Sequence, residues 1–448
     1  MTGSITPIRQ TRSYPLFWRW HFLAAIIVIP FVLWQSTTGT LYLWSEWWMD
    51  VQHPSLRFVA EASSPMPPSQ QLAAALAAVK DAPQSAAPQG HQAHASHGEA
   101  LQSSDSPRVV QLVLPDDPRR STEVLLQSAN RLPYPIFVDP YNGRILGRLT
   151  AAQWLPGLSR ALHAGWPLGK PGNWLLELGN CWAIVMIVSG LYLWWPRGRG
   201  FWETMNPRRN AGLRILVRDL HAIVAVLFSG IFLFFLISAL PWTSFWGGEI
   251  LPRVQTILNQ QSPAGFSAGG ATADQMLSAA TSIDSAVRNA RARGVAGTLT
   301  IQLSPWQGAP LFLANRVSSL QKDRTLLASP ATGQIGGDFR NRDLPVIPRM
   351  VAVGIHVHQG DFGLLNLWLN TLFAGSLVWL SGTGLVSWWI RRPKGQLGVP
   401  QSRGIVWPKG VIISIVVAGL LLPIFGLSVL AIWVAKQIFG RALRPQPI

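Results

Sequence analysis

Five long apolar runs divide this chain of 448 residues, at about 22–44, 173–195, 218–240, 364–390 and 410–436. Each has the length of a helix that crosses a hydrocarbon core, which takes about 20 residues. The polar stretches between them are of two kinds: two are long, 45–160 and 241–360, and two are short, 196–217 and 391–409. Inside the long stretches the pattern changes from blocks to short strands. "FVDPYNGRILGRL" (137–149) and "LLASPATGQIGGDF" (326–339) each read as a strand, a Pro-x-x-Gly turn and a second short strand. An Ala-rich helical stretch precedes each, at 69–82 and 272–294. The last apolar run contains Pro423, which predicts a kink and leaves a full crossing and a broken or re-entrant segment both open.

Composition sharpens this. At 48% hydrophobic and 13% charged, the chain is too apolar for an ordinary soluble protein. The net charge of +17 would suit nucleic acid, but its placement argues for a topology signal. Arg9, Arg12 and Arg19 precede the first run. Arg197, Arg199, Arg208, Arg209, Arg214 and Arg218 fill the first short loop. Arg391, Arg392, Lys394, Arg403 and Lys409 follow the fourth run. Short Arg-rich loops belong on the cytoplasmic side. The N-terminus is therefore expected inside and the two long segments outside. Lys436, Arg441 and Arg444 conflict with that rule if the fifth run crosses fully. The first run ends in "LYLWSEWWMD" with no small-residue cleavage site, so a retained anchor is expected rather than a signal peptide. Most of the 22 tryptophans lie at run ends, as in an interfacial aromatic belt.

A single cysteine, Cys181, excludes intrachain disulfides, cysteine-held iron–sulfur clusters, covalent haem attachment and a cysteine zinc site. Any redox metal must be held by histidine or carboxylate. The histidines follow an internal duplication. "SGLYLWWPR" (189–197) and "SGTGLVSWWIR" (381–391) both close an apolar run and lead into a basic loop. The chain thus reads as two copies of one unit: a span out, a small α+β segment and a span back, with the fifth run added. His21 opens the first span and His221 the third. His163 and His358 precede the second and fourth at nearly the same register. The topology puts His21 and His221 at the cytoplasmic rim, and His163 and His358 at the outer rim. Packing about a pseudo-two-fold axis would bring each pair face to face. Such a pair suits the two axial positions of a b-type haem between helices, and two haems would form an electron relay. The bland alternative is an interfacial histidine at each position, and a non-haem metal is a further one. His356, in "GIHVHQGDFG", is a candidate alternative ligand, supporting group or substrate contact, whereas His53 reads as surface. His91, His94 and His97 lie in a Pro/Ala/Gln/Ser-rich insert, 81–107. It reads as a flexible linker and, less favourably, as a weak metal site.

No dinucleotide fingerprint, phosphate loop or nucleophile–His–acid set is visible, and the cytoplasmic loops are too short for a flavin or nicotinamide domain. Any cytoplasmic electron donor is another molecule.

Four stretches carry a resemblance. "FWRWHFLAAIIVIPFVLWQSTTGTLYLW", "LHAGWPLGKPGNWLLELGNCWAIVMIVSGLYLWWPRG", "RDLHAIVAVLFSGIFLFFLISALPWTSFWG" and "GIHVHQGDFGLLNLWLNTLFAGSLVWLSGTGLVSWWIRR" resemble the four spans of the PepSY-associated transmembrane family, over about 14–395. The long segments are similar to PepSY domains. The branch most resembled is the PiuB-like iron-uptake-factor group, whose relatives include inner-membrane ferric-siderophore reductases. That resemblance implies haem b ligands at His21, His221, His163 and His358. The family commonly has His-Glu-Gly at the outer histidine. Here His358-Gln359-Gly360 keeps the ligand and lacks the carboxylate. The insert 81–107 is not carried over from the family.

The expectation is a mainly α membrane protein, internally duplicated. It has a bundle of about five transmembrane helices and two periplasmic α+β PepSY-like domains. The divisions are 1–44, 45–160, 161–195, 196–217, 218–240, 241–360, 361–390, 391–409, 410–436 and 437–448. The expected function is reduction of ferric siderophores or other periplasmic ferric chelates by two b-type haems in the bacterial inner membrane. Trp166, Arg160 and Lys170 are candidate chelate contacts. The rivals are an anchored PepSY inhibitory or sensor module without redox activity, and an iron or siderophore transporter. The transporter reading finds few polar residues in the spans: Gln35, Ser36, Thr37, Thr38, Asn370 and Thr371.

Overall fold

The computed structural model describes residues 13–80, 108–127, 132–197, 200–262, 271–303, 310–400 and 407–442. The chain begins with α1 (Tyr14–Gln52), a one-turn α2 (Pro54–Arg57) and α3 (Pro68–Lys80). Strands β1 (Arg108–Leu114), β2 (Thr122–Gln127), β3 (Tyr134–Val138) and β4 (Ile145–Arg148) follow. It returns through α4 (Leu155–His163) into α5 (Gly169–Trp194) and a one-turn α6 (Phe201–Thr204). The second half repeats the order with α7 (Leu213–Ala239), a connecting α8 (Leu251–Ile257), β5 (Ala271–Thr272), α9 (Ala273–Ser278) and α10 (Ala280–Ala292). Then come β6 (Thr298–Leu303), β7 (Leu311–Arg316), β8 (Arg324–Ala328), β9 (Ile335–Arg340), α11 (Val346–Gln359) and α12 (Leu364–Arg391), before α13 (Lys409–Leu421) and α14 (Pro423–Ala442).

Among the described residues, α1, α5, α7 with its short extension to Trp242, and α12 are long and apolar enough to cross a membrane. The protein is a multi-pass membrane protein. Helix α1 packs against α5 and α12, and α7 against the same two, so α1 and α7 lie diagonally across a four-helix bundle. At 39 residues α1 is about 58 Å long at 1.5 Å per residue, nearly twice a hydrocarbon core, so one end stands clear of the membrane.

The fifth apolar run is not one continuous helix of membrane length. It is broken at Leu422, whose backbone leaves the helical region (φ −125°, ψ 78°), and Pro423 starts a new helix. A Cβ on Gly419 would lie 3.1 Å from the Gly426 Cα. In a straight helix residues seven apart are separated by about 10.5 Å. The chain therefore folds back on itself at the break, and α13 and α14 form a helical hairpin. Its tip, Leu422 and Phe425, is buried against the Trp182 ring of α5. The ends of the run return to one side. This removes the conflict that Lys436 posed, because a proline at the centre of the run stops one helix and begins the next.

The two long segments do not make two separate sheets. One sheet runs β4-β3-β2-β1-β6-β7-β8-β9, with β5 paired to β1. The antiparallel β1–β6 pairing joins the halves, so neither keeps an open edge at the seam. Helices α3 and α10 pack together over it in a single core with Leu72, Leu112, Ile283 and Ile301. Both expected Pro-x-x-Gly turns are present, with Gly143 and Gly333 at φ 70° and 71°, a left-handed conformation that glycine adopts without strain. Arg57, 3% exposed, fastens the sheet to α1. It donates to Glu46 and Asp50 of α1 and to Glu123 of β2, while Arg120 holds the other oxygen of Asp50.

Candidate functional site

Two histidine pairs occupy the bundle, one towards the sheet and one towards the short loops. At the sheet side, His163 is the last residue of α4 and His358 lies one residue from the end of α11. Gly360 stops α11 in a left-handed conformation (φ 77°). Asn370 of α12 donates to the carbonyls of Val357 and His358 in the last turn, helping to satisfy the helix end. The two imidazole centres are 6.1 Å apart. Two imidazoles trans on one metal, each with a metal–nitrogen bond of about 2.0–2.1 Å, have centres about 6.3 Å apart.

Hydrogen bonds decide which ring nitrogen is free. Thr38 of α1 gives its own proton to the Trp34 carbonyl at 2.8 Å. Its oxygen, 3.0 Å from His163 Nδ1, therefore accepts from Nδ1–H and leaves Nε2 with a lone pair. Thr383 of α12 does the same for His221: it donates to Trp379 O at 2.8 Å and accepts from Nδ1 at 2.9 Å. His21 Nδ1 lies 3.1 Å from the Met186 carbonyl, which can only accept, and 3.2 Å from the Ser189 hydroxyl of α5. Three of the four rings thus expose Nε2 as a metal donor, with the other nitrogen tied down in the manner of metal-bound histidines.

A glycine follows each of these hydroxyl residues, and the ring lies against it. A Cβ on Gly39 would sit 3.2 Å from His163 Cε1, one on Gly190 3.1 Å from His21 Cε1, and one on Gly384 3.7 Å from His221 Cε1. Thr38-Gly39 and Ser189-Gly190 are therefore one device used twice, a hydroxyl that fixes the tautomer and a missing side chain that lets the ring in; Thr383-Gly384 repeats the hydroxyl, with the ring at ordinary contact distance from the glycine.

His21 of α1 and His221 of α7 lie within electrostatic reach of each other, on diagonal helices. Along α1, His21 and the Thr38 that holds His163 are 17 residues apart, which puts about 25 Å between the two levels. Aromatic rings fill part of that distance. Phe235 stacks on Phe373 at 4.2 Å and contacts His358 at 4.9 Å, and Phe232 and Phe228 continue along α7. Among the described residues no group of three or more His, Cys, Asp or Glu could hold a metal. What the bundle offers is pairs, which suits a group bringing its own equatorial donors, as a haem does. The ring spacing, the exposed Nε2 atoms and the glycine cradles fit that group.

The other expected residues separate clearly. His356 is not part of the pair. Its Nδ1 bonds Asp361 at 2.9 Å, and its Nε2 is 3.6 Å from Asp323. Asp323 and Asp361 hold it protonated, pushing its pKa up to about 9 against the effect of burial, so it has no lone pair to give. Asp361 also pairs with Arg316 of β7 at 3.2 Å, which ties the second half of the sheet to the α11–α12 turn. His53 sits in the joint between α1 and α2. His91, His94 and His97 lie outside the described residues. Trp166, Arg160 and Lys170 are exposed on the sheet side, close to His163 in the chain. Arg160 and Arg316 both reach the surroundings of Tyr42 electrostatically. The polar residues of the spans serve structure: Thr38 holds His163, Asn370 holds α11, and Thr371 accepts from the Trp44 indole at 2.9 Å. Glu177, fully buried in α5, had not been singled out. It accepts from the Phe245 and Trp246 amides at 2.9 and 3.0 Å and holds the turn after α7.

The sequence reading met Thr38 only as a polar residue of the first span, and passed over Ser189, Thr383 and the glycines after all three. The repeat pair "SGLYLWWPR" and "SGTGLVSWWIR" contains two of these dipeptides, so the signal was in view as a repeat without its chemistry.

The model of the PepSY-associated TM region matches residues 18–391. The chain belongs to that family. No curated protein matches it.

Proposed function

We propose that this member of the PepSY-associated family moves electrons across the bacterial inner membrane through two b-type haems and reduces ferric chelates, siderophores among them, at the periplasmic face. One observation carries the reading: two histidine pairs at opposite depths of a four-helix bundle, the outer one with ring centres 6.1 Å apart. Haem bound by such pairs supplies a one-electron couple. His21 and His221 would hold one haem, and His163 and His358 the other. Thr38, Ser189 and Thr383 keep Nε2 of three ligands free and aimed. The Arg-rich short loops support a cytoplasmic His21 end and a periplasmic sheet. The electron donor is a separate cytoplasmic or membrane molecule. The acceptor is a ferric chelate at the outer mouth, where Arg160, Lys170 and Trp166 offer cationic and aromatic contacts. One electron converts its iron(III) to iron(II), which oxygen-rich chelators hold weakly, and the chelator leaves unchanged.

The test is the absorption spectrum of the purified protein, oxidised and dithionite-reduced, with haem quantified per chain. About two haems with six-coordinate b-type spectra are expected from two bis-histidine sites. Each of His21→Ala, His163→Ala, His221→Ala and His358→Ala should lose about one. A colourless protein after haem-supplemented expression overturns the reading and favours an anchored extramembrane module.

A further inference from the structure

The four ligands are not equivalent. The chain repeats with an offset of 200 residues between α1 and α7: His21 corresponds to His221, Gln35 to Phe235, Thr38 to Ser238 and Gly39 to Ala239. The device that fixes His163 in the first half therefore has a sequence counterpart at Ser238-Ala239, on the helix whose Phe235 meets His358. That counterpart is altered in both parts. A Cβ at Gly39 would press on the facing imidazole at 3.2 Å, and Ala239 carries one. The Ser238 hydroxyl donates to the Phe235 carbonyl at 3.1 Å. Among the described residues, His358 has no side-chain hydrogen bond; its ring meets the His163 ring and the Phe235 ring, which accepts nothing. Its backbone is fixed by Asn370, but its ring is not. Ser238 faces Gly354, one turn before His358 in α11, where an added Cβ would lie 3.1 Å from the Ser238 Cβ.

We infer that His358 is the replaceable ligand of the outer site. Its ring yields to an incoming small donor ligand while His163, His21 and His221 stay in place, and the Ser238-Ala239 dipeptide is what leaves it free. The inference rests on the haem reading above. It makes the outer site, on the side where the chelate arrives, the one with an openable coordination position. An axial histidine whose Nδ1–H is anchored resists rotation and is the stronger donor, so the unanchored one dissociates first.

The experiment uses the full-length protein with its two haems counted beforehand, reduced with dithionite and mixed with carbon monoxide. About one haem per chain should bind the gas and shift its Soret band, and the other should stay six-coordinate. Ser238→Thr with Ala239→Gly rebuilds the anchored form and should slow that binding about fivefold, the factor one ordinary hydrogen bond carries. The reciprocal pair, Thr38→Val with Gly39→Ala, frees His163 and should speed it by a similar factor. The inference is overturned if no haem binds carbon monoxide, if both bind at one rate, or if the rebuilt site binds as fast as the original. Should the rebuilt variant fail to fold or load haem, an unchanged rate in the reciprocal variant overturns it. Absence of haem from the unaltered protein refutes the haem reading instead, so the two failures are distinct.

Discussion

Thr383→Val isolates one atom of the loop-side site. Valine keeps nearly the shape of threonine in a helix and removes only the oxygen that accepts from His221 Nδ1 at 2.9 Å. The hydroxyl proton is already committed to the Trp379 carbonyl, so no other role is lost except that local bond. Two independent magnitudes apply. A buried donor left without a partner costs about 1–3 kcal/mol. Loss of the partner of a metal-bound histidine lowers ligand affinity about 10–100-fold, which at about 1.4 kcal/mol per factor of ten is about 1.4–2.8 kcal/mol. The two ranges overlap, so a fall in haem affinity of at least tenfold at one of two sites is expected. The assay is haem release from purified protein to an excess of a haem-scavenging apoprotein, followed optically as two phases. Thr383→Val should accelerate one phase at least tenfold and leave the other unchanged, because the second site is about 25 Å away along α1. Thr383→Ser keeps the acceptor and should restore release to within about threefold, the cost of a less rigid rotamer. Equal release from Thr383→Val and the unaltered protein, with unchanged midpoint potentials, would refute the anchoring role.

Four further outcomes follow from the same geometry. Gly190→Val should abolish the His21/His221 haem and spare the other, since even a bare Cβ would stand 3.1 Å from His21 Cε1; haem count per chain reads this. His356→Gln should retain two haems whereas His358→Ala keeps one, because His356 is spent on Asp361 and Asp323. Arg57→Ala should destabilise the sheet by about 3–5 kcal/mol by leaving Glu46, Asp50 and Glu123 together without their cation, with part recovered on adding Glu123→Gln; thermal unfolding in detergent measures both. Single cysteines at Lys409 and Lys436 should be labelled by an impermeant maleimide from the same face of sealed vesicles; labelling from opposite faces would show that the α13–α14 segment crosses.

The spans, the duplication and the four histidines were legible because each rests on a long or repeated signal. A helix of membrane length needs no partner to be recognised, and His21, His163, His221 and His358 fall at matching places in two copies. What the sequence concealed depends on contacts between distant positions. The joining of the halves into one sheet comes from β1 pairing with β6, and nothing within either strand states that its neighbour lies almost 200 residues away. Pro423 announced a break, but only the contact between Gly419 and Gly426 turns the break into a reversal. His356 and His358 looked alike in "GIHVHQGDFG". They differ because helical spacing points one at the Asp323 and Asp361 carboxylates and the other into the bundle. Thr38 looked like a stray polar residue in an apolar helix and Thr383 drew no reading, since bonding back to the preceding turn is the ordinary fate of both. Both do bond back, and each keeps its oxygen available for a histidine on another helix.

The duplication also explains why the halves cannot act alone. Each level takes one histidine from each half: His21 with His221, and His163 with His358. Each loop-side ring is anchored by the returning span of its own half, His21 by Ser189 and His221 by Thr383. A half therefore carries anchored rings but no complete pair. Contacts between halves must then bring the rings of each pair together, and two sets do so at opposite ends. In the bundle, α1 packs on α12 and α5 on α7. Above it, the β1–β6 seam fixes one half of the sheet to the other, while Arg57 clamps the first half to α1 and Arg316 reaches Asp361 beside α11 in the second. The fused sheet thus sets the separation of His163 and His358 from outside the membrane, as the helix crossings set that of His21 and His221 within it. Weakening the seam should therefore disturb the outer pair first. A proline at Ile301, whose position faces Leu112 across the seam, should lower haem occupancy at the His163/His358 site before the His21/His221 site. Equal loss at both would mean that the bundle alone sets the geometry.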